Sequence, residues 1–376
     1  KDTKALVERA VLDNRLDVIN DILTRFAQRN QDHREQEIMF HYTANCAAMN
    51  GNLAVIEHIC QRSLQYVEES STSTTTVITY HLSLCLCWLL HAVHSGQMHV
   101  LDYFKQKAPA LVEINYRLLL SSAAMHGRVE VIRWCLSSDS TTLTEMFASS
   151  LLKSAATHGN EDEAIAVCTL VVERFPDSVD ISVLYNVAKL NRPMLFKWLC
   201  EFIHRDVFDP FGTIMCVWAR HLNLELVQYC YNVLRHRSDS RALFFAAKES
   251  NGKDDNGVVE WLIDHESKIS NATFNILARQ NRPIALLSRV VKPEFTLAPY
   301  TLKKLCLRGH LDVLKWWFRI MTVDRKSPVE TWMPPEGLSL AWNRNHITMA
   351  NWMMDNNFPV KINQQLTSCS SKQQKI

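Results

Sequence analysis

Leu305-Cys-Leu-Arg-Gly-His-Leu-Asp-Val-Leu314 decides the fold, because two close copies precede it in the chain. They are Ala47-Ala-Met-Asn-Gly-Asn-Leu-Ala-Val-Ile56 and Ala123-Ala-Met-His-Gly-Arg-Val-Glu-Val-Ile132. Each sets a pair of small or apolar residues four positions before a turn residue, then starts an apolar-x-apolar-apolar segment. Self-similarity at a fixed period signals a repeat architecture. With this template, weaker copies emerge along the whole chain. The first residue of the pair falls at Ala10, Ala47, Ala92, Ala123, Ala155, Val187, Trp218, Ala246, Leu277, Leu305 and Ala341. Between Ala92 and Leu305 the spacings stay within 28 to 32 residues, so this stretch is close to periodic.

The small pair lets one helix approach its neighbours closely. The turn position holds Gly51, Gly96, Gly127, Gly159 or Gly309, or else Asn14, Asn191, Asn281 or Asn345. Gly and Asn are the residues that best tolerate a left-handed backbone, so a turn with positive φ is expected there. Two copies read Asn-Arg-Pro, and Pro193 and Pro283 are expected in the first helical turn, where a missing N–H costs nothing. The segment after the turn has the period of an amphipathic helix, as in Leu311, Val313, Leu314, Trp316 and Trp317. Trp134, Trp198, Trp261, Trp316 and Trp352 recur late in this segment and are expected to form a core ridge between stacked repeats.

The unit resembles the ankyrin repeat, a β-turn plus two helices of about 33 residues. Gly309-His-Leu-Asp-Val-Leu-Lys315 carries the likeness most clearly, and the match runs from about residue 3 to about 360. The family's Thr-Pro-Leu-His opening and its Gly-Ala-Asp inter-repeat turn are missing. Segments such as Phe358-Pro-Val-Lys-Ile and Phe295-Thr-Leu-Ala-Pro replace them, as in the divergent arrays of protists, oomycetes and large viruses. The resemblance implies an all-α, ankyrin-like α-solenoid of about eleven helix-turn-helix repeats spanning 1–363. Short inter-repeat loops take the place of β-hairpin fingers. Polar, low-complexity Glu68–Thr76 implies a loop insertion over 66–80, and three prolines make 322–337 an irregular excursion. Asn251–Asn256 reads as a smaller bulge, and 364–376 as a disordered tail.

Composition fits this reading. Only 9 Gly and 11 Pro in 376 residues argue against a strand-rich sandwich or a Rossmann enzyme. Most of the 11 cysteines sit in helical apolar patterns, which suits buried free thiols and a reducing compartment. No run reaches the apolar length of a membrane span. A cytoplasmic location is expected. The start at Lys1 without Met leaves a secreted effector, acting in a host's cytoplasm or nucleus, as the alternative. Charge is uneven: residues 1–180 carry 15 Lys and Arg against 22 Asp and Glu, while 181–376 carry 26 against 17. The second half is thus suited to an anionic partner.

Catalytic machinery is not visible. Asn251-Gly-Lys253 lacks the spacing of a phosphate loop, His265-Glu266 lacks the second histidine of a zinc protease, and no Gly-x-Ser-x-Gly elbow exists. Cys87, His91 and His94 share one face of a helix, with Cys85 and His99 nearby. Three such side chains would suffice for Zn²⁺, but the paired Cys-x-x-Cys knuckle is absent and a rim of half-buried imidazoles is the simpler reading. No cofactor or metal is expected.

In ankyrin arrays the concave face is formed by inter-repeat loops and by the exposed residues that end each first helix. The resemblance therefore assigns partner contact to the two positions after each small pair. Those chosen are Met49, His94, Met125, His126, His158, Lys189, Arg220, His221, Lys248, Arg279, Arg308 and Arg344. Methionine in the first half suits adaptable apolar contact. From Lys189 onward a cation recurs once per repeat, forming a basic stripe. The function implied is that of a non-catalytic scaffold, monomeric alone, binding a folded domain or an acidic segment of another protein. That partner is a host protein if the chain acts as a pathogen effector. Nucleic acid is the alternative partner, disfavoured by the acidic first half.

Overall fold

The computed structural model describes residues 2–29, 33–69, 74–137, 143–202, 212–233, 240–251, 256–265 and 268–359. Among these residues the chain is all-helical, with no strand. Contacts divide it into two compact units, Lys1–Val207 and Phe208–Ile376.

The first unit holds α1 (Asp2–Leu12), α2 (Leu16–Arg29), α3 (His33–Asn50), α4 (Leu53–Glu69), α5 (Thr74–Ser95) and α6 (Met98–Lys107). A short α7 (Pro109–Ile114) precedes α8 (Tyr116–Met125), α9 (Val129–Leu136), α10 (Glu145–Ala155), α11 (Glu161–Arg174), α12 (Ile181–Lys189) and α13 (Pro193–Cys200). The second unit holds α14 (Thr213–Arg220), α15 (Leu224–Asn232), α16 (Arg241–Ser250), α17 (Val258–His265), α18 (Asn271–Arg279), α19 (Ile284–Val290), α20 (Pro299–Arg308) and α21 (Leu311–Arg319). A short α22 (Val329–Trp332) then leads to α23 (Gly337–Asn343) and α24 (Ile347–Asp355).

Helices pair into hairpins, and consecutive hairpins pack first helix on first helix. In the first unit the order is α1, α3, α5, α8, α10, α12; in the second it is α14, α16, α18, α20, α23. The small pair explains why. Every one of its eleven first residues is buried, from Ala10 at 5% exposure to Ala341 at 0%. A small side chain lets a helix flanked on two sides approach both neighbours closely, and Ala fills seven of the eleven places, while Val187, Trp218, Leu277 and Leu305 fill the rest.

The turn after the pair is equally regular. Asn14, Gly51, Gly96, Gly127, Asn191, Asn281, Gly309 and Asn345 all have positive φ, as expected. The residue beyond the turn donates its N–H to the carbonyl of the pair's first residue: Asn52 to Ala47 at 2.8 Å, Arg128 to Ala123 at 2.9 Å, His310 to Leu305 at 3.0 Å. This six-to-one bond closes a Schellman motif, which satisfies helix-end carbonyls and requires a left-handed residue. Gly159 departs from the pattern, since its φ is not in that region. Leu222 enters it at φ 55°, an unusual place for a branched side chain. Pro193 opens α13 as expected, whereas Pro283 lies one position earlier, at the N-cap of α19.

Two further expectations need correction. The polar stretch Glu68–Thr76, read as a loop, is helical up to Glu69 and again from Thr74; only 70–73 lie outside the described residues. The five recurring tryptophans are half-buried rather than core; the fully buried ones are Trp88, Trp218 and Trp317. Several instead lean on the second helix of the preceding hairpin. Trp134 donates Nε1–H to Asp102 at 2.8 Å, Trp261 meets Tyr231 edge-on at 5.3 Å, and Trp352 meets Phe318 at 5.4 Å. An indole has a polar edge that prefers the rim of a seam to its centre.

In 322–337 a π-helical turn over Ile320–Asp324 and a loop lead to α22. Residues 252–255 and 364–376 lie outside the described residues. Among those described, no helix is long and apolar enough to cross a membrane.

Candidate partner-binding surface

The first helices end at the same point of the repeat, so the residues just past each buried pair emerge in register. In Lys1–Val207 these are Met49, His94, Met125, His126, His158 and Lys189. Met49, His94, Met125 and Lys189 are exposed; His126 and His158 are half-buried. Leu118 is also exposed, one heptad before Met125 on the same face of α8.

The histidines are engaged within this row. The rings of His94 and His126, from adjacent first helices, lie 4.1 Å apart. His126 Nδ1 sits 2.8 Å from the Ser122 carbonyl of its own helix. Partial burial, with His126 and Arg128 close by, lowers the His94 pKa from its ordinary value. His158 Nε2 lies 3.3 Å from the Glu163 carboxylate. His99 Nε2 is 2.6 Å from the Gly51 carbonyl. Among the described residues no group of three or more His, Cys, Asp or Glu side chains is placed to hold a metal ion.

In Phe208–Ile376 the row reads Arg220, His221, Lys248, Arg279, Arg308 and Arg344. Arg220, Lys248, Arg279 and Arg308 stand in the last turns of α14, α16, α18 and α20, and Arg344 is the C-cap residue of α23. Positive charge at a helix C-terminus is locally favourable, by about 0.3–1 kcal/mol. Arg279 is half-buried and the other four cations are exposed. The stripe is not uniformly free. Arg220 pairs with Glu249 from the next first helix at 3.1 Å. Arg279 lies over the Tyr300 ring at 5.6 Å, and Arg308 Nη1 donates to the Arg279 carbonyl at 3.4 Å. His221 is exposed, its ring 5.9 Å from that of Trp218.

A second row was missed in the sequence. In six hairpins the residue just beyond the turn reaches back to the preceding hairpin. Asn52 Nδ2 donates to the Val11 carbonyl at 2.9 Å, Gln97 Nε2 to Met49 at 3.0 Å, Arg128 Nε to His94 at 2.6 Å and Arg192 Nη1 to Gly159 at 3.0 Å. In the second unit Arg282 Nη2 donates to the Ser250 hydroxyl at 2.8 Å, and His346 Nε2 lies 3.0 Å from the Leu307 carbonyl. Apart from the Gly159 carbonyl and the Ser250 hydroxyl, the acceptors are last-turn carbonyls that a helix leaves unpaired. The bonds also fix the register of one hairpin on the next. The signal was a side-chain donor after the turn residue in copy after copy. Comparison with family models, with curated proteins and with solved structures gives no match to this chain.

Proposed function

We propose that this chain is an ankyrin-type array of helical hairpins, an α-solenoid, that binds another protein through the exposed ends of its first helices and carries out no catalysis. The observation that carries this reading is the five cations on consecutive first helices of Phe208–Ile376, one per hairpin. Burial of the small pair dictates where each helix ends, yet nothing in packing dictates Lys or Arg at one of the two positions after it. An acidic segment of the partner is the complement that such a row would steer and hold. The methionines of the first unit, Met49 and Met125, supply exposed apolar contact of the adaptable kind.

Affinity capture with the wild-type chain, run beside Lys248→Glu/Arg344→Glu, tests the reading. A partner retained by the wild type and lost by the double reversal supports it. If every captured protein is held equally by both, the row is not the binding face. A second reading, nucleic-acid binding, is favoured by Trp342, an aromatic 45% exposed on α23 beside this row. Random single-stranded RNA binding with a steep salt dependence would favour it over the first.

A further inference from the structure

We infer that Arg279, Tyr300, Lys304 and Arg308 form a subsite for clustered carboxylates on an extended acidic segment of the partner, an assignment that rests on the protein-binding reading above. Tyr300, Lys304 and Arg308 are spaced four apart and therefore share one face of α20. Arg279 joins them from the adjacent α18. Its guanidinium lies 5.6 Å from the Tyr300 ring centre, and its carbonyl accepts from Arg308 at 3.4 Å. Lys304 Nζ lies 5.5 Å from the same ring centre. Two cations from two helices thus lie over one phenol, with Arg308 bonded to the backbone of one of them, and the ring is 58% exposed.

The cations of this cluster differ from those around it. Lys303 pairs with Glu336 at 3.4 Å, Arg289 pairs with Asp264, and Arg220 pairs with Glu249. Among the described residues, Arg279, Lys304 and Arg308 have no carboxylate partner. Like charges held this close repel one another, and bound carboxylates would remove that cost while gaining charge-assisted hydrogen bonds. Guanidinium groups fit a carboxylate with two parallel N–H bonds. The Tyr300 ring serves the cations as a platform, with both Arg279 and Lys304 lying over it, so it is not an open surface for a stacked base. That favours an acidic peptide over a nucleic acid.

The test is fluorescence anisotropy on the full chain with a labelled peptide of alternating Glu and Gly. Arg279→Gln/Lys304→Gln is expected to weaken binding by about tenfold or more, a loss typical of unpairing buried or hydrogen-bonded charge. Lys303→Gln, outside the cluster and paired with Glu336, is expected to bind as the wild type does. Circular dichroism of each variant confirms that it is folded. The assignment is overturned if the wild type does not bind the peptide, or if the double variant binds it equally well. It is also overturned if RNA of matched charge binds more tightly than the peptide and is lost with the same variant. A captured partner retained by Arg279→Gln/Lys304→Gln but lost by Lys248→Glu/Arg344→Glu would remove the subsite alone and leave the protein-binding reading standing.

Discussion

Asn52, just past the turn of one hairpin, donates its side-chain amide to the Val11 carbonyl at the end of the preceding hairpin's first helix, at 2.9 Å. Its side-chain Oδ1 accepts the Val55 N–H at 3.3 Å, so one side chain caps the start of α4 while joining two hairpins. Replacing Asn52 by Ala leaves a partly buried acceptor and a helix start unsatisfied. A loss of about 1–2 kcal/mol is expected from these two effects. Urea unfolding of Asn52→Ala beside the wild type measures it, and an unchanged midpoint would show that the row of bonds does not stabilise the stack.

Gly309 is the sharpest test of the turn geometry. Its φ is 74°, and an added Cβ would stand 2.6 Å from Nδ1 of the His346 ring. Gly309→Ala should cost about 1–2 kcal/mol for the left-handed backbone alone. Displacing His346 from the Leu307 carbonyl adds to that cost. Thermal unfolding with a Tm equal to that of the wild type would contradict the account. Gly159→Ala is the matching control, because its φ is ordinary and no heavy atom lies within 4 Å of the added carbon. It is expected to be neutral or slightly stabilising.

Asp180 gives stability a pH dependence. It is the N-cap of α12, accepting the Val183 N–H at 2.8 Å, and it also accepts from Ser149 on α10 at 3.0 Å. Burial pushes its carboxyl upward, but the Ser182 hydroxyl, the Val183 N–H, the Ser149 hydroxyl and nearby Lys153 outweigh that and hold it below its ordinary value. A carboxylate with a lowered folded-state pKa contributes stability that is present above its unfolded value, near ~3.9, and lost as pH falls through the folded value. Asp180→Ala should therefore be less stable than the wild type by about 1 kcal/mol near neutral pH. The gap should narrow on acidification. A gap constant from neutral pH down to acid denaturation would refute the linkage.

Thiol reactivity follows burial. The Cys135, Cys168 and Cys306 thiols are pushed up to about 12 by burial, whereas Cys87 is exposed on α5. The thiolate is the reactive form. Iodoacetamide on the native chain near neutral pH should modify Cys87 and spare the other three, as read by peptide mass spectrometry. Equal labelling of Cys168 and Cys87 without denaturant would mean that the interior is not packed as described.

The parts of this molecule legible in sequence are those set by single residues in register. Ala123-Ala124 and Gly127 mark a buried pair and a left-handed turn because small or apolar residues recur at one place and few residues suit the other. Leu222 shows the limit of that logic, since a residue poorly suited to a left-handed turn occupies one. The cations of the candidate surface were legible as a period, but their partners were not. Glu249 beside Arg220 stands at a template position of the next hairpin but carries the opposite charge, and Tyr300 beside Arg279 lies at the start of the next first helix, which the template does not index. Lys304 was missed because it lies one turn before the end of α20, outside the two positions where contact was expected. The half-buried seam tryptophans were misplaced for a related reason: hydrophobic period shows which face turns inward, not how deeply it is covered.

The central claim is tested most directly by titrating the captured partner, purified, into the wild-type chain and into Lys248→Glu/Arg344→Glu, by calorimetry at one fixed salt concentration. Both residues are exposed at first-helix ends. The account predicts that the reversal weakens Kd by at least tenfold, about 1.4 kcal/mol, with the fold and thermal stability kept. Equal affinity of the two proteins for the partner would contradict it.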